Sequence, residues 1–140
     1  MRKEVPYSEK LMKNIQIFCF TIFLNALFVT SSGAAEIPKQ ISFERGTSSA
    51  VVEGSVMRGD RDVYTVRARA GQMVAINVSA LENNAAFSLY EAGELQPVTG
   101  TREEDDATTW NGKLRRDGAF RIVVGGTRGN ANYNLRLSIK

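Results

Sequence analysis

The stretch Gly125-Gly126-Thr127-Arg128-Gly129-Asn130-Ala131-Asn132-Tyr133 has the residue types and spacing best suited to recognition chemistry. It holds three glycines and two asparagines, more than a tight turn requires. Glycine allows close backbone approach to another surface, and Arg128 offers a planar fork of donors suited to a carboxylate. Asn130 can donate and accept beside it. A flexible loop with a solvated arginine fits the same composition, and composition alone leaves both readings open. Glu103-Glu104-Asp105-Asp106 is the one acidic run. Clustered carboxylates can hold Ca²⁺, but a Ca²⁺ loop alternates its ligands and has a glycine at its sharp turn. The run reads as a solvated loop, with a metal site or a patch that steers a basic partner as alternatives. Trp110 suits either a core position or a stacking platform for a sugar or a partner surface. Arg58-Gly59-Asp60 matches an adhesive tripeptide, and a hairpin turn explains it better. Asn77-Val78-Ser79 has the spacing of a glycosylation acceptor but falls inside a predicted strand.

The chain has no histidine. That removes the commonest general base near neutral pH, the Ser-His and Cys-His nucleophile pairs and histidine zinc sites. A carboxylate mechanism through Asp60, Asp62 or the acidic run would need two carboxyl groups about 5–10 Å apart in a concave site. The residues point to binding rather than catalysis, with no catalytic residue, metal or cofactor expected.

Lys13 precedes an apolar run, Ile15–Val29, and the small residues Ser31-Ser32-Gly33-Ala34-Ala35 follow. This reads as a secretory signal peptide over 1–35, cut before Glu36, with Met12 as an alternative start. The run is shorter than the ~20 residues that span a bilayer core, and Gln16 and Asn25 interrupt it, so no membrane anchor is expected after cleavage. Cys19 lies within the run rather than after a lipobox. Residues 36–140 then form one domain with 14 basic against 13 acidic residues, a net charge of +1. The alkaline balance of the whole chain comes mostly from the leader, which removes the main support for nucleic-acid binding. No cysteine survives cleavage, so an apolar core must stabilise the domain without disulfides.

Alternation of period two marks the elements. Tyr133, Leu135, Leu137 and Ile139 alternate with Asn134, Arg136 and Ser138. Similar stripes run through Ala50–Met57, Val63–Arg69, Met73–Ser79, Ala86–Tyr90 and Phe120–Val124, with weaker ones at Ile41–Glu44 and Thr108–Leu114. Gly59-Asp60, Ala70-Gly71-Gln72, Asn83-Asn84, Arg116-Asp117-Gly118 and Gly125-Gly126 supply the reversals, while Glu91–Ala107 reads as a polar loop. The expected fold is all-β, an antiparallel sandwich of about eight short strands.

Three stretches resemble the small periplasmic inhibitors of g-type and i-type lysozymes. They are Phe43–Ala50, Gly59–Val66 leading into Ala68–Gln72, and Thr127-Arg128 through Tyr133–Lys140. The resemblance implies a periplasmic protein that pushes loops into the substrate cleft of a lysozyme. Arg128 occupies the position of an arginine that engages the cleft in the g-type inhibitors. Asn132 stands where those inhibitors have a second arginine, and Asp60 corresponds roughly to a tyrosine in a turn longer by one residue. The i-type inhibitors place a Ser and a Tyr three apart in this loop. Asn130 and Tyr133 keep that spacing without the Ser. The partner-binding candidates are therefore Arg128, Asn130, Asn132, Tyr133 and Asp60, although the inward period of Tyr133 suits a role in seating the loop equally well. Ala-Gly-Gln between two strands also recurs in sandwich domains appended to secreted peptidases. The alternative expectation is accordingly a non-catalytic module that binds envelope glycan or protein.

Overall fold

A computed structural model describes residues 37–140; the leader read over 1–35 lies outside the described residues. The strands are β1 (Lys39–Gln40), β2 (Ser49–Val56), β3 (Arg61–Ala68), β4 (Met73–Ala80), β5 (Ala85–Tyr90), β6 (Thr109–Lys113), β7 (Gly118–Gly126) and β8 (Ala131–Ile139). They form two four-stranded sheets, ordered β1-β3-β7-β5 and β2-β8-β4-β6. All pairings are antiparallel except β1 with β3, which is parallel. The odd strands make one sheet and the even strands the other, so every connection crosses between layers.

The crossing corrects the hairpin expectation. No two consecutive strands pair, and Arg58-Gly59-Asp60 turns the chain from the second sheet into the first. The Asp60 amide donates to the Met57 carbonyl at 3.0 Å, and Gly59 takes a φ of +89°, which a side chain would strain. The first strand also lies two residues earlier than expected. Lys39–Gln40 is the paired segment, and Ile41 follows it with its side chain in the core.

The inward stripes supply that core. Tyr64, Ile122 and Leu89 align across the first sheet, and Val52, Leu135 and Val78 across the second. Leu89, Ile122, Val124 and Leu135 are wholly buried. Two glycines on the inner face of the second sheet give room to aromatic rings. A Cβ on Gly54 would stand 2.3 Å from the Tyr133 ring, and one on Gly112 would stand 2.4 Å from Trp110. Trp110 pairs with inward Ile76 and packs on the core, which settles its two readings in favour of packing.

Glu91–Ala107 is an ordered strap rather than a polar loop. It runs along the free side of β5, where the Leu89 amide donates to Thr101 Oγ1 at 3.0 Å and the Phe87 amide to the Ala107 carbonyl at 2.8 Å. The Val98 amide donates to the Leu89 carbonyl at 2.7 Å. The strap thereby satisfies an edge strand that would otherwise offer open donors and acceptors. Thr101 is wholly buried, and its hydroxyl donates in turn to the Val98 carbonyl at 2.8 Å. Thr101→Val keeps the shape but leaves the Leu89 amide without an acceptor. It should lower unfolding stability by about 1–2 kcal/mol, which chemical denaturation will measure.

Candidate functional site

Strand direction brings three inter-sheet turns to one end of the sandwich: Met57–Asp60, Leu81–Asn84 and Thr127–Asn130. The last of these carries Arg128. It contains no internal backbone hydrogen bond and is held by its neighbours instead. The Thr127 amide donates to the Asn84 carbonyl at 2.8 Å, and Asn84 Nδ2 donates to the Asn130 carbonyl at 2.7 Å. Asn130 Oδ1 accepts the Arg58 amide at 2.8 Å. Asn84 is buried, so its side-chain bond to the Asn130 carbonyl is partly shielded from water, whereas the Arg58–Asn130 bond lies at the surface. Gly126 is a second requirement, because a Cβ there would meet the Gly129 carbonyl oxygen at 2.3 Å. Gly126 thus lets the backbone pass close to Gly129, in a loop that its neighbours fasten.

Arg128 is exposed at the rim of this cluster, where Nη2 donates to the Glu82 carbonyl at 3.3 Å. One long hydrogen bond to a neighbouring turn orients the guanidinium and leaves most of its donors to solvent. The side chain lies on the next loop rather than flat on its own sheet. Asp60 is also exposed, in the Met57–Asp60 turn of the same end. Asn130 is exposed too, but both its backbone carbonyl and its side-chain oxygen are engaged within the protein. Asn132 lies outside the loop, on β8, pairing with Ser55 and facing away from the core.

The structure separates Tyr133 from these four. Its ring is buried in the inner layer, and its hydroxyl lies 2.5 Å from Asp62 Oδ2 and 2.8 Å from the Tyr64 hydroxyl. The Tyr133 proton serves Asp62, so the Tyr64 hydroxyl donates to the Tyr133 oxygen. Asp62 Oδ1 accepts from Lys39 Nζ at 2.6 Å, with that ammonium 5.6 Å from the centre of the Tyr64 ring. The chain of contacts ties β8 of one sheet to β3 of the other beneath the loop end. Burial, then the bonds to Asp62 and Tyr64, push the Tyr133 phenol well above its ordinary range. The bond to Asp62 raises Lys39 as well.

The acidic run forms a single 3₁₀ turn, Glu103–Asp105, with Asp106 in the left-handed region at φ +44°. Asp105 Oδ2 accepts the Arg102 amide at 2.8 Å, and Glu103 pairs with Arg61 at 2.6 Å. The Arg61 side chain reaches it by lying over Gly125, where a Cβ would stand 2.7 Å from it. Asp105 and Glu103 are thus occupied in shaping and fastening the strap. Among the described residues, no three His, Cys, Asp or Glu side chains are grouped to hold a metal ion. Sequence reasoning missed Glu82 and Asn84, the groups that hold the Arg128 loop. Their signal was faint: Asn83-Asn84 marks a turn, but nothing in its composition says which loop it will meet.

No family model matches the chain. It is 29% identical over 126 residues to an inhibitor of g-type lysozyme from Escherichia coli (strain K12), covering 85% of this chain and 93% of that protein. The crystal structure of Aeromonas hydrophila PliG, a periplasmic lysozyme inhibitor of g-type lysozyme, superposes with a TM-score of 0.62 at 27% identity. That match covers 74% of this chain and 96% of the other. The pre-peptidase C-terminal domain of a Bacillus anthracis collagenase shares the fold alone, with a TM-score of 0.53 at 19% identity over 75% of this chain. In both sequence and fold, the chain is similar to periplasmic inhibitors of g-type lysozyme.

Proposed function

We propose that this protein is an exported, periplasmic inhibitor of a g-type lysozyme and acts by inserting the Arg128 loop into the enzyme's substrate cleft. The observation that carries the reading is the fastening of that loop. Hydrogen bonds from Asn84, Arg58 and Asn130 fix it before any partner arrives. A loop already ordered loses little conformational entropy on docking, so more of its contact energy becomes affinity. Lysozymes hydrolyse glycan with a carboxylic acid set in a groove. A guanidinium at the rim of a rigid ridge is suited to pair with an acidic group there, while the ridge itself excludes the sugar chain. Asp60 and Asn130 flank that contact from the same end. The signal peptide read over 1–35 supplies the route to the periplasm, and the likeness to proteins named as periplasmic inhibitors supports that address.

The alternative, a non-catalytic module for envelope glycan or protein, looked to Trp110 or another exposed aromatic, and Trp110 is partly buried against the core. The function is tested by turbidity clearance of peptidoglycan suspensions with g-, i- and c-type lysozymes, with and without the purified protein. Protection against the g-type enzyme is expected, with the i-type enzyme as the second target of interest. Unchanged clearance by every class overturns the reading.

A further inference from the structure

The end of the sandwich opposite the Arg128 ridge gathers positive charge. Strand direction brings Arg67–Met73, Glu91–Leu95, Lys113–Asp117 and Lys140 together there. These segments hold six basic residues against three acidic ones. All three acids are engaged: Glu91 with Arg115, Glu94 with Arg116, and Asp117 Oδ1 with the Ala70 amide at 2.7 Å. Arg67, Arg69, Lys113 and Lys140 are exposed, and among the described residues none of the four has an ion-pair partner. Two of them flank an apolar side chain. Met73 stands opposite Lys113 of β6 and exchanges backbone hydrogen bonds with Lys140 at 2.8 and 2.9 Å, so the three form a row at the rim of the second sheet. Neighbouring strands lie about 4.8 Å apart, which sets the two lysine backbones roughly 10 Å from each other with the methionine between. Met73 is 48% exposed, and Leu95, next to the Glu94–Arg116 pair, is 85% exposed.

We propose that this end docks on the surface of a bilayer rich in anionic phospholipid, with Lys113, Lys140 and Arg69 over the headgroup phosphates and Met73 and Leu95 entering between them. Like charges held side by side repel unless an anion lies across them, and among the described residues no carboxylate pairs with either lysine. Each Lys or Arg brought to an anionic surface adds attraction, and apolar side chains set among the cations add burial in the headgroup layer. A soluble polyanion would use the cations alone. The exposed methionine and leucine are what favour a bilayer as the occupant. Two apolar side chains and four cations give a reversible contact rather than an anchor. In this orientation the Arg128 ridge points away from the lipid. The contact is independent of the proposed function, because it uses the other end of the molecule.

Co-sedimentation of the protein, purified in its exported form, with vesicles of mixed phosphatidylglycerol and phosphatidylcholine tests this, beside vesicles of phosphatidylcholine alone. Partitioning onto the anionic vesicles is expected, falling as salt rises, with little onto the neutral ones. Lys140→Glu should weaken that partitioning about tenfold, because it removes one attraction and adds a repulsion of similar size. Arg136→Glu makes the same change in charge on the same outer face and should weaken it far less. Four residues back along the chain, it stands about 13 Å farther from the lipid, beyond the screening length of about 10 Å at 0.1 M salt. Met73→Ser should cost several-fold on the vesicles and leave retention on a heparin column unchanged, since only the bilayer uses the apolar side chain. Thermal melts should be close for all, as these side chains lie largely in solvent. Absence of partitioning, or equal partitioning onto both kinds of vesicle, overturns the proposal. Equal losses for Lys140→Glu and Arg136→Glu overturn it too, because the effect would then be one of general charge. Met73→Ser binding vesicles as well as the unaltered protein overturns the bilayer as occupant in favour of a soluble polyanion. Inhibition of lysozyme should be the same for Lys140→Glu as for the unaltered protein, so failure here and failure of the proposed function are read separately.

Discussion

Arg128→Ala will weaken inhibition of a g-type lysozyme by about 2–5 kcal/mol, thirtyfold or more in the dissociation constant, if its guanidinium pairs with a cleft carboxylate out of reach of water. The size of the loss comes from the partner as much as from the arginine. A carboxylate walled in by the docked ridge and stripped of its cation keeps the full cost of desolvation. Stability should not change, because Arg128 is exposed and its one internal contact is a 3.3 Å bond to the Glu82 carbonyl. Arg128→Lys separates charge from shape. A lysine retains the cation but loses the flat fork, so an intermediate loss is expected if the partner is bound through two oxygens. Titration calorimetry or an inhibition curve, together with a melt, measures all of this. An Arg128→Ala protein that inhibits as well as the original removes Arg128 from the mechanism.

The inward faces of the sandwich were written plainly in the sequence, because a half-buried strand must alternate and its period shows wherever it lies. Tyr133, Leu135, Leu137 and Ile139 all fall on the buried side. The partition of strands between sheets was not legible. A turn such as Arg58-Gly59-Asp60 needs the same residues whether it closes a hairpin or passes the chain to the opposite layer. The strap was hidden for a related reason. Thr101 looks like any loop threonine until the unpaired edge of β5 is beside it, and only then does its hydroxyl have an amide to satisfy. For the candidate site, Arg128 was visible as a chemical group in an unusual loop. What fixes it was invisible, since the stabilising bonds come from Arg58 and Asn84, far away in sequence. Asn130 shows the limit most clearly: a group capable of meeting a partner uses its side-chain oxygen to fasten its own loop.

Tyr133 carries the second large effect, and the effect lies in stability rather than in contact with a partner. Tyr133→Phe preserves the ring that fills the space over Gly54 but deletes the hydroxyl that serves Asp62 and Tyr64. Asp62 Oδ2 loses its donor, and the Tyr64 hydroxyl loses the oxygen it donates to. With a carboxylate among the stranded groups, the expected loss is about 3 kcal/mol, a large share of the roughly 5–15 kcal/mol typical of such a domain. The raised phenol adds a signature in pH. A folded-state value above the unfolded one means that the protonated phenol is favoured by folding, so its contribution is complete below the ordinary tyrosine value of 10.0. It is lost as pH climbs from there towards the folded-state value. Stability of the unaltered protein should therefore fall on raising the pH above about 10, and Tyr133→Phe should flatten that fall. Denaturant titrations at neutral and alkaline pH decide the matter. If both proteins lose stability in parallel, the phenol between the sheets is not the group responsible. Lysozyme affinity, measured where both are folded, should stay within a few-fold, since the inter-sheet strut lies beneath the ridge and out of a partner's reach. A Tyr133→Phe protein that is fully stable but binds poorly would instead return Tyr133 to the contact surface that its spacing from Asn130 first suggested.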